Sequence, residues 1–125
     1  MERLITMHGL PETFDPSFLR GKEIENITFA AYQVNLHLNG KVWVQIEGRY
    51  KLLCDGQIIE TVSTFPILQS SLLQLIGKKI TDVSFTVRSG DIELVLENGH
   101  RLLIEGDTGP YESYRLFDGQ KELVI

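Results

Sequence analysis

The sequence has little of what cross-linked, secreted or membrane-spanning proteins require. Cys54 is the one cysteine among 125 residues, so no disulfide can form within the chain and a reducing compartment is expected. The first fourteen residues carry charges at Glu2 and Arg3 and no long apolar core, which is unlike a secretory signal. No apolar run has the length of a membrane span. These absences predict a soluble, cytoplasmic protein in which Cys54, next to a turn, contributes no chemistry.

Catalytic and metal-binding motifs are also missing. The chain has no H-x-x-x-H, C-x-x-C, G-x-S-x-G, P-loop or G-x-G-x-x-G pattern. His8, His37 and His100 are isolated from one another and from the cysteine, so none stands at a metal-ligand spacing. We therefore predict no metal and no cofactor, and a binding protein is a better expectation than an enzyme.

Basic residues are fewer than acidic residues, and the difference arises in one segment of the chain. Twelve Lys and Arg face seventeen Asp and Glu, giving a net charge of −5, which argues against nucleic acid as a partner. Residues 1–88 hold nine side chains of each sign, and residues 113–125 hold two of each. The imbalance falls in 89–112, where Arg101 is the one cation among six acids: Asp91, Glu93, Glu97, Glu105, Asp107 and Glu112.

What the sequence does contain is an internal repeat. Residues 19–29 match residues 75–85 at an offset of 56, with Leu, Gly, Lys, Ile and Phe in common. Ile46-Glu47-Gly48 matches Ile104-Glu105-Gly106 at an offset of 58, and both halves end in an aromatic segment followed by Asp-Gly-Gln. Each half also carries an Asn-Gly, at Asn39-Gly40 and Asn98-Gly99. So many matches in the same order indicate two diverged copies of one unit.

The repeated residues predict β-hairpins. Asn-Gly and Asp-Gly supply the positive φ values of tight type I′ turns, so each unit is expected to hold two hairpins. Apolar and polar residues alternate on both sides of these turns, which is typical of half-buried antiparallel strands. The predicted strands are 23–30, 33–38, 41–47, 49–54, 57–61, 79–87, 91–97, 100–105, 112–117 and 120–125.

A single helix is predicted between the two units. Ser63 or Thr64 can cap it, Pro66 suits its first turn, and Gly77 suits its end. Its apolar stripe consists of Leu68, Leu72, Leu75 and Ile76. The expected fold is one mostly β domain with a central helix, as a β-sandwich or a pseudo-twofold barrel. Its parts are a loosely attached leader (1–18, in which Leu4 to Met7 can add an edge strand), a first repeat (19–61), a linker and helix (62–77) and a second repeat (78–125).

The order of these motifs resembles a widespread bacterial family of small two-repeat proteins catalogued as a domain of unknown function. The resemblance covers about residues 19–119, and its most specific pieces are Ile-Glu-Gly and the segment from Tyr111 to Leu116. The usual members continue with a glycine-rich, tryptophan-containing tail, where this chain has Leu123-Val124-Ile125. No activity is assigned to this family, so the resemblance implies none for this chain. The chain resembles immunity proteins of toxin loci only in its size and charge.

Residues out of phase with the core suggest a binding surface. The residues predicted to point outward are Tyr32, His37, Trp43, Gln45, Val95 and Leu103. This set is unusually apolar for a solvated face, unless the helix or the leader covers it or both faces of the sheet are buried. The first hypothesis is a non-enzymatic module that binds a basic protein, such as a toxin domain, through an acidic β-surface. Its predicted contact residues are Trp43, Glu93, Glu97, Leu103, Glu105 and Asp107.

Two other functions remain open from the sequence. One is a small-ligand binder or enzyme with a cleft between the repeats, where Glu47 and Glu105 would form a carboxylate pair. For these two residues, a strand-end carboxylate that points into water or bonds a backbone N–H is the more ordinary expectation. The other is a homodimeric structural module that joins edge strands or apolar faces.

Overall fold

The chain folds into two β-sheets that enclose one hydrophobic core. The computed structural model describes residues 15–67, 69–106 and 113–125, together with the backbone of residues 3–5. The strand order is β1-β11-β10-β4-β3-β2 in the six-stranded sheet and β6-β5-β9-β8-β7 in the five-stranded sheet. Buried residues of both sheets form a single cluster, so the fold is a sandwich and the alternative of a closed barrel is wrong.

All ten strands predicted from the sequence are present, with one more at the start of the chain. The strands are β1 (Arg3–Ile5), β2 (Ile24–Phe29), β3 (Val34–Leu38), β4 (Val42–Ile46), β5 (Tyr50–Cys54), β6 (Gln57–Val62), β7 (Ile80–Thr86), β8 (Asp91–Leu96), β9 (His100–Ile104), β10 (Tyr114–Phe117) and β11 (Glu122–Val124). All pairings are antiparallel except that of β1 with β11.

The period-2 pattern decides which side chains reach the core. On β3 and β4 every second residue is buried, and the same holds on β8. Val34 faces Ile46, and Leu36 faces Val44, across the β3–β4 pair. Ile92 faces Ile104, and Leu94 faces Leu102, across the β8–β9 pair. Because both sheets turn these rows toward each other, one compact core forms without a covering helix.

Each half of the chain sends its last hairpin into the other sheet. β2, β3 and β4 lie together in the six-stranded sheet, but β5 and β6 continue the five-stranded sheet beside β9. In the same way β7, β8 and β9 lie together, while β10 and β11 join the six-stranded sheet beside β4. Tyr50 faces Ile104 in one exchange, and Tyr114 faces Ile46 in the other. Strands β2 to β6 and strands β7 to β11 therefore have matching pairings.

The repeated Leu-x-Gly-Lys segments meet where the two sheets come together. The N–H of Gly21 donates to the carbonyl of Ile80, and the N–H of Gly77 donates to that of Ile24, both at 2.7 Å. Both glycines have positive φ, at 84° and 85°, which side chains rarely adopt. The leucines of both segments, Leu19 and Leu75, are fully buried. The motif thus builds a junction at which each half contributes the same donors and acceptors.

The predicted positive φ values are confirmed in the turns, but they do not fall on the predicted residue pair in every turn. Asp55 and Gly56 both have positive φ, as a type I′ turn requires. After β3 the positive values fall on Gly40 and Lys41, whereas after β8 they fall on Asn98 and Gly99. The two Asn-Gly pairs are therefore one residue out of register with each other. Asp118 and Gly119 belong to a longer loop, in which the Asp118 N–H donates to the carbonyl of Lys121.

The predicted central helix is wrong. Residues 63–67 and 69–70 are irregular, and the chain then forms a 3-10 helix at Ser71–Leu75, capped by the side chain of Ser70. Leu72 and Leu75 are buried, but Ile76 is 43% exposed. The two buried leucines are therefore three residues apart, and this spacing fits a single 3-10 turn rather than the apolar face of a longer α-helix. Leu68, the first residue of the predicted stripe, lies outside the described residues.

The predicted leader is attached at both of its described ends. β1 adds an edge strand parallel to β11, as proposed for the segment that starts at Leu4. Pro16 is buried at the beginning of a second 3-10 helix, Pro16–Leu19, whose N-terminus is capped by Asp15. Both described parts of the predicted leader therefore contact the rest of the fold.

Candidate functional site

The outer surface of the six-stranded sheet carries an aromatic pair. Trp43 lies between the buried residues Val42 and Val44 on β4, so its side chain points away from the core. Phe117 faces it across β10, and the two rings stack with centroids 5.3 Å apart and planes inclined by 19°. Both side chains are half-buried. Stacking of this kind stabilises both rings and fixes their position on the sheet.

Polar side chains that bond to one another surround this pair. His37 faces Trp43 from β3, and its Nε2 lies 3.1 Å from the hydroxyl of Thr28. In the next row the Gln45 amide donates to the side chain of Gln33 at 3.2 Å. These bonds hold the polar groups in place around the rings. We call this surface, made of Trp43, Phe117, His37, Gln45 and Arg115, the aromatic face.

Arg115 links three strands across the aromatic face. Its Nε donates to Glu47 at 2.7 Å, and its Nη1 donates to Glu122 at 3.2 Å. All three side chains are about four-fifths buried. A partly buried, charge-assisted pair of bonds is stronger than an exposed ion pair, so Arg115 holds β4, β10 and β11 together at this edge. Glu47 is therefore engaged in an ion pair with Arg115.

The opposite surface, on the five-stranded sheet, carries an acidic depression. It has a volume of about 200 Å³ and is lined by Ser84, Phe85, Thr86, Asp91, Glu93 and Leu103. Glu93 and Leu103 face each other across β8 and β9, so the structure brings these two predicted contact residues together. Glu93 also pairs with Arg101 at 3.0 Å, and Asp91 accepts the Gly106 N–H at 2.8 Å.

The other acids of the local cluster have separate roles. Glu97 accepts the backbone N–H of Lys79 at 2.7 Å, as Asn39 accepts that of Glu23 in the first half. Its carboxylate therefore stabilises a turn. Glu105 lies 3.5 Å from the guanidinium of Arg49. Asp107 and Glu112 lie outside the described residues.

The structure does not unite the predicted contact residues on one surface. Trp43 points outward from the six-stranded sheet, whereas Glu93 and Leu103 point outward from the five-stranded sheet. The core separates the two outer surfaces, so one flat interface cannot contain all of them. Glu47 and Glu105 likewise pair with different arginines, on different sheets. Each of these carboxylates therefore has its own arginine partner, and a carboxylate pair between the repeats stays a prediction.

Sequence reasoning missed Phe117 and Arg115. Both alternate with the buried residues Tyr114 and Leu116, so their phase marks them as outward-facing. Their contact with Trp43 and Glu47 was not evident, because it depends on β10 pairing with β4 from the other half.

Two buried tyrosines anchor polar networks that the sequence also did not reveal. The hydroxyl of Tyr50 donates to Glu60 at 2.9 Å, and Glu60 further accepts from the hydroxyl of Ser70 and the N–H of Ser71. The hydroxyl of Tyr114 donates to the carbonyl of Gly90 at 2.6 Å. Burial raises the pKa of both tyrosines well above the usual value of 10.0. These groups stay protonated and structural at neutral pH.

Cys54 and His100 are further side chains with nucleophilic or ligating chemistry. Cys54 faces His100 across β5 and β9, and the His100 Nε2 lies 3.2 Å from the amide oxygen of Gln74. Within the described part of the chain, no three His, Cys, Asp or Glu residues are placed to hold a metal ion. The described residues also include no helix that is long and apolar enough to cross a bilayer.

Comparison with known proteins identifies a family for this chain but no individual similar protein. No curated protein and no solved structure is significantly similar to this chain. A model of a family of unknown function matches residues 16–125, from the first 3-10 helix to the last residue. The chain therefore belongs to the DUF6188 family, a family of unknown function.

Proposed function

We propose that this protein is a non-enzymatic protein-binding module and that the aromatic face is its contact surface. The observation that carries the proposal is the stacked Trp43–Phe117 pair, which is half-buried on the outer side of a sheet. Rigid aromatic side chains ringed by polar groups are typical of the residues that dominate protein interfaces. The surrounding hydrogen bonds already fix these polar groups, so binding costs little side-chain entropy.

The partner we propose is a basic protein. The chain carries a net charge of −5, and the two carboxylates that bond to Arg115 of the aromatic face, Glu47 and Glu122, leave this cluster with a net negative charge. Such a field accelerates encounter with a cationic partner, while the aromatic pair holds the complex once it has formed. Inhibition of a basic toxin domain by an immunity-type protein is one function of this class.

The test uses the single tryptophan as its own probe. The experiment compares three immobilised proteins: wild type, Trp43→Ala and Leu103→Ala. The basic proteins that each of them retains are identified. The expected result is a partner bound by wild type and Leu103→Ala but lost with Trp43→Ala, at a cost on the order of 2 kcal/mol. Titration of that partner should also change Trp43 fluorescence. Equal retention by all three proteins would rule out the aromatic face.

A second candidate places the contact at the acidic depression. Asp91 and Glu93 line it, with Leu103 as its apolar wall, a chemistry suited to a lysine or arginine side chain of a basic partner. In that case Leu103→Ala and Glu93→Gln would weaken binding, and Trp43→Ala would not. The same comparison of variants therefore separates the two surfaces.

We also propose that the two halves arose by duplication of one strand unit whose last hairpins are exchanged between the sheets. The support is the match in strand pairing, the Leu-x-Gly-Lys junction and the paired roles of Asn39 and Glu97. A chain of residues 15–67 alone should then associate with a chain of residues 69–125. Failure of the two pieces to reconstitute the β-sheet circular dichroism spectrum would count against it.

A further inference from the structure

Strands β11 and β6 occupy equivalent positions in the two sheets but differ in what pairs with them on the far side. β11 and β6 hold matching positions, each as the outer strand of an exchanged hairpin. β11 pairs on its far side with β1. β6 is the last strand of its sheet and has no such neighbour in the described structure. A strand with one side unpaired is a template for another strand.

The side chains of β6 are exposed where those of β11 are buried. Ile58 is 57% exposed and Ile59 is 43% exposed, whereas Leu123 and Val124 on β11 are buried. Ile59 is a bulge residue with no Cα partner on β5, because Leu52 faces Glu60 and Leu53 faces Ile58. The edge of the five-stranded sheet therefore presents two adjacent apolar side chains to solvent.

The charge on this edge favours a second copy of the same chain. β6 contains Gln57, Ile58, Ile59, Glu60, Thr61 and Val62, so Glu60 is its one charged residue. That carboxylate is already engaged by Tyr50, Ser70 and Ser71. Two copies of β6 therefore bring only one carboxylate each to an antiparallel pairing, and each carboxylate is held by hydrogen bonds within its own chain. By contrast, the edge strand β2 has an exposed Glu25 at its bulge, and β7 carries Asp82 in an exposed ion pair with Arg20.

We propose that β6 is a homodimer interface, with the β6 strands of two copies pairing antiparallel. Antiparallel pairing of identical strands is self-complementary and closes with twofold symmetry, so it produces a dimer and not a fibre. The pairing joins the two five-stranded sheets into one continuous sheet and shields Ile58 and Ile59. It also leaves the aromatic face, on the other sheet, free to bind a partner.

The test is the mass of the full chain in solution over a range of concentrations. Sedimentation equilibrium should show wild type tending to twice the 14.2 kDa of one chain as concentration rises. Ile58→Lys and Ile59→Lys place a charge on the edge and should raise the dissociation constant on the order of tenfold or more. Tyr32→Lys is the matched control, because Tyr32 is 80% exposed and lies between β2 and β3 of the other sheet, and it should leave the dimer intact.

A crosslinking experiment covers the case in which the lysine variants fold poorly. In a Cys54→Ser background, Ile58→Cys and Ile59→Cys should form an intermolecular disulfide under mild oxidation, and Tyr32→Cys should not. A wild-type chain that stays monomeric at every concentration would overturn the proposal. A dimer that Trp43→Ala abolishes and Ile58→Lys does not would also overturn it, and would place self-association on the aromatic face instead.

Discussion

At the scale of single residues, Gly106 is fixed by its surroundings. Its N–H donates to Asp91, and its carbonyl accepts the hydroxyl of the buried Ser113. A Cβ at this position would overlap the backbone of Ser89 and Gly90, which cannot move as a flexible side chain can. The glycine of the second Ile-Glu-Gly segment therefore lets the loop before β8 pack directly against the end of β9.

Gly106→Ala should destabilise the protein by about 3 kcal/mol, since the added methyl group displaces backbone. The measurement is the free energy of unfolding in urea, followed by Trp43 fluorescence. Gly56→Ala is the control: it has positive φ but open space around the new Cβ, so it should cost about 1–2 kcal/mol from backbone strain alone. Equal losses in the two variants would contradict the packing argument.

Tyr50 and Tyr114 make the fold sensitive to alkali. Burial raises the pKa of both in the folded protein, so above pH 10.0 the unfolded chain ionises where the native one does not. Stability from these residues is complete below that pH and should fall above it by about 1.4 kcal/mol per pH unit for each tyrosine. Urea unfolding as a function of pH measures the slope. Tyr50→Phe and Tyr114→Phe should each flatten it, and an unchanged slope would remove that tyrosine from the explanation.

At the scale of elements, the 3-10 helices Pro16–Leu19 and Ser71–Leu75 are short and depend on their caps. The side chain of Asp15 accepts the N–H of Ser17 at 2.9 Å, and that of Ser70 accepts the N–H of Leu72 at 3.0 Å. Each helix carries a buried leucine of the junction, Leu19 or Leu75, into the core. The caps thus position the residues at which the two sheets meet.

Asp15→Ala and Ser70→Ala form a matched pair of variants. Each removes one cap and should lower the free energy of unfolding by about 1 kcal/mol. Ser70→Ala should cost more than Asp15→Ala, because Ser70 also donates to Glu60 in the network around Tyr50. Thermal melts at pH 7 compare the two directly. A larger loss at Asp15 would show that the Glu60 network contributes little.

At the scale of the whole molecule, the net charge of −5 should govern how fast a basic partner arrives. Association should slow as salt screens the field, and dissociation should change little. Reversal of Glu93 and Asp107 to Lys should slow association further. Glu97 is best left unchanged, because its carboxylate holds the Lys79 turn. Stopped-flow kinetics with the recovered partner test this, and a salt-independent association rate would exclude steering by charge.

The sequence by itself determined the strands, their inward phase and most of the turns. Alternation on β3, β4 and β8 and the Asp55-Gly56 turn are local features, set by side-chain period and backbone φ within a few residues. For the same reason Trp43 and Leu103 could be identified as outward-facing. The helix prediction was wrong because, in so short a segment, apolar residues three and four positions apart do not distinguish a 3-10 turn from an α-helix.

Only the tertiary structure decided which surface each outward residue joins. The alternation of residues along a strand predicts that a side chain points away from the core, but it does not predict on which sheet the side chain lies. The sheet depends on the exchange of hairpins between the two halves. The exchange pairs β4 with β10, which stacks Trp43 on Phe117 and joins Glu47 to Arg115. It also separates Trp43 from Leu103. Contacts between strands far apart in sequence follow from how two sheets fill one core, and no local pattern contains that information.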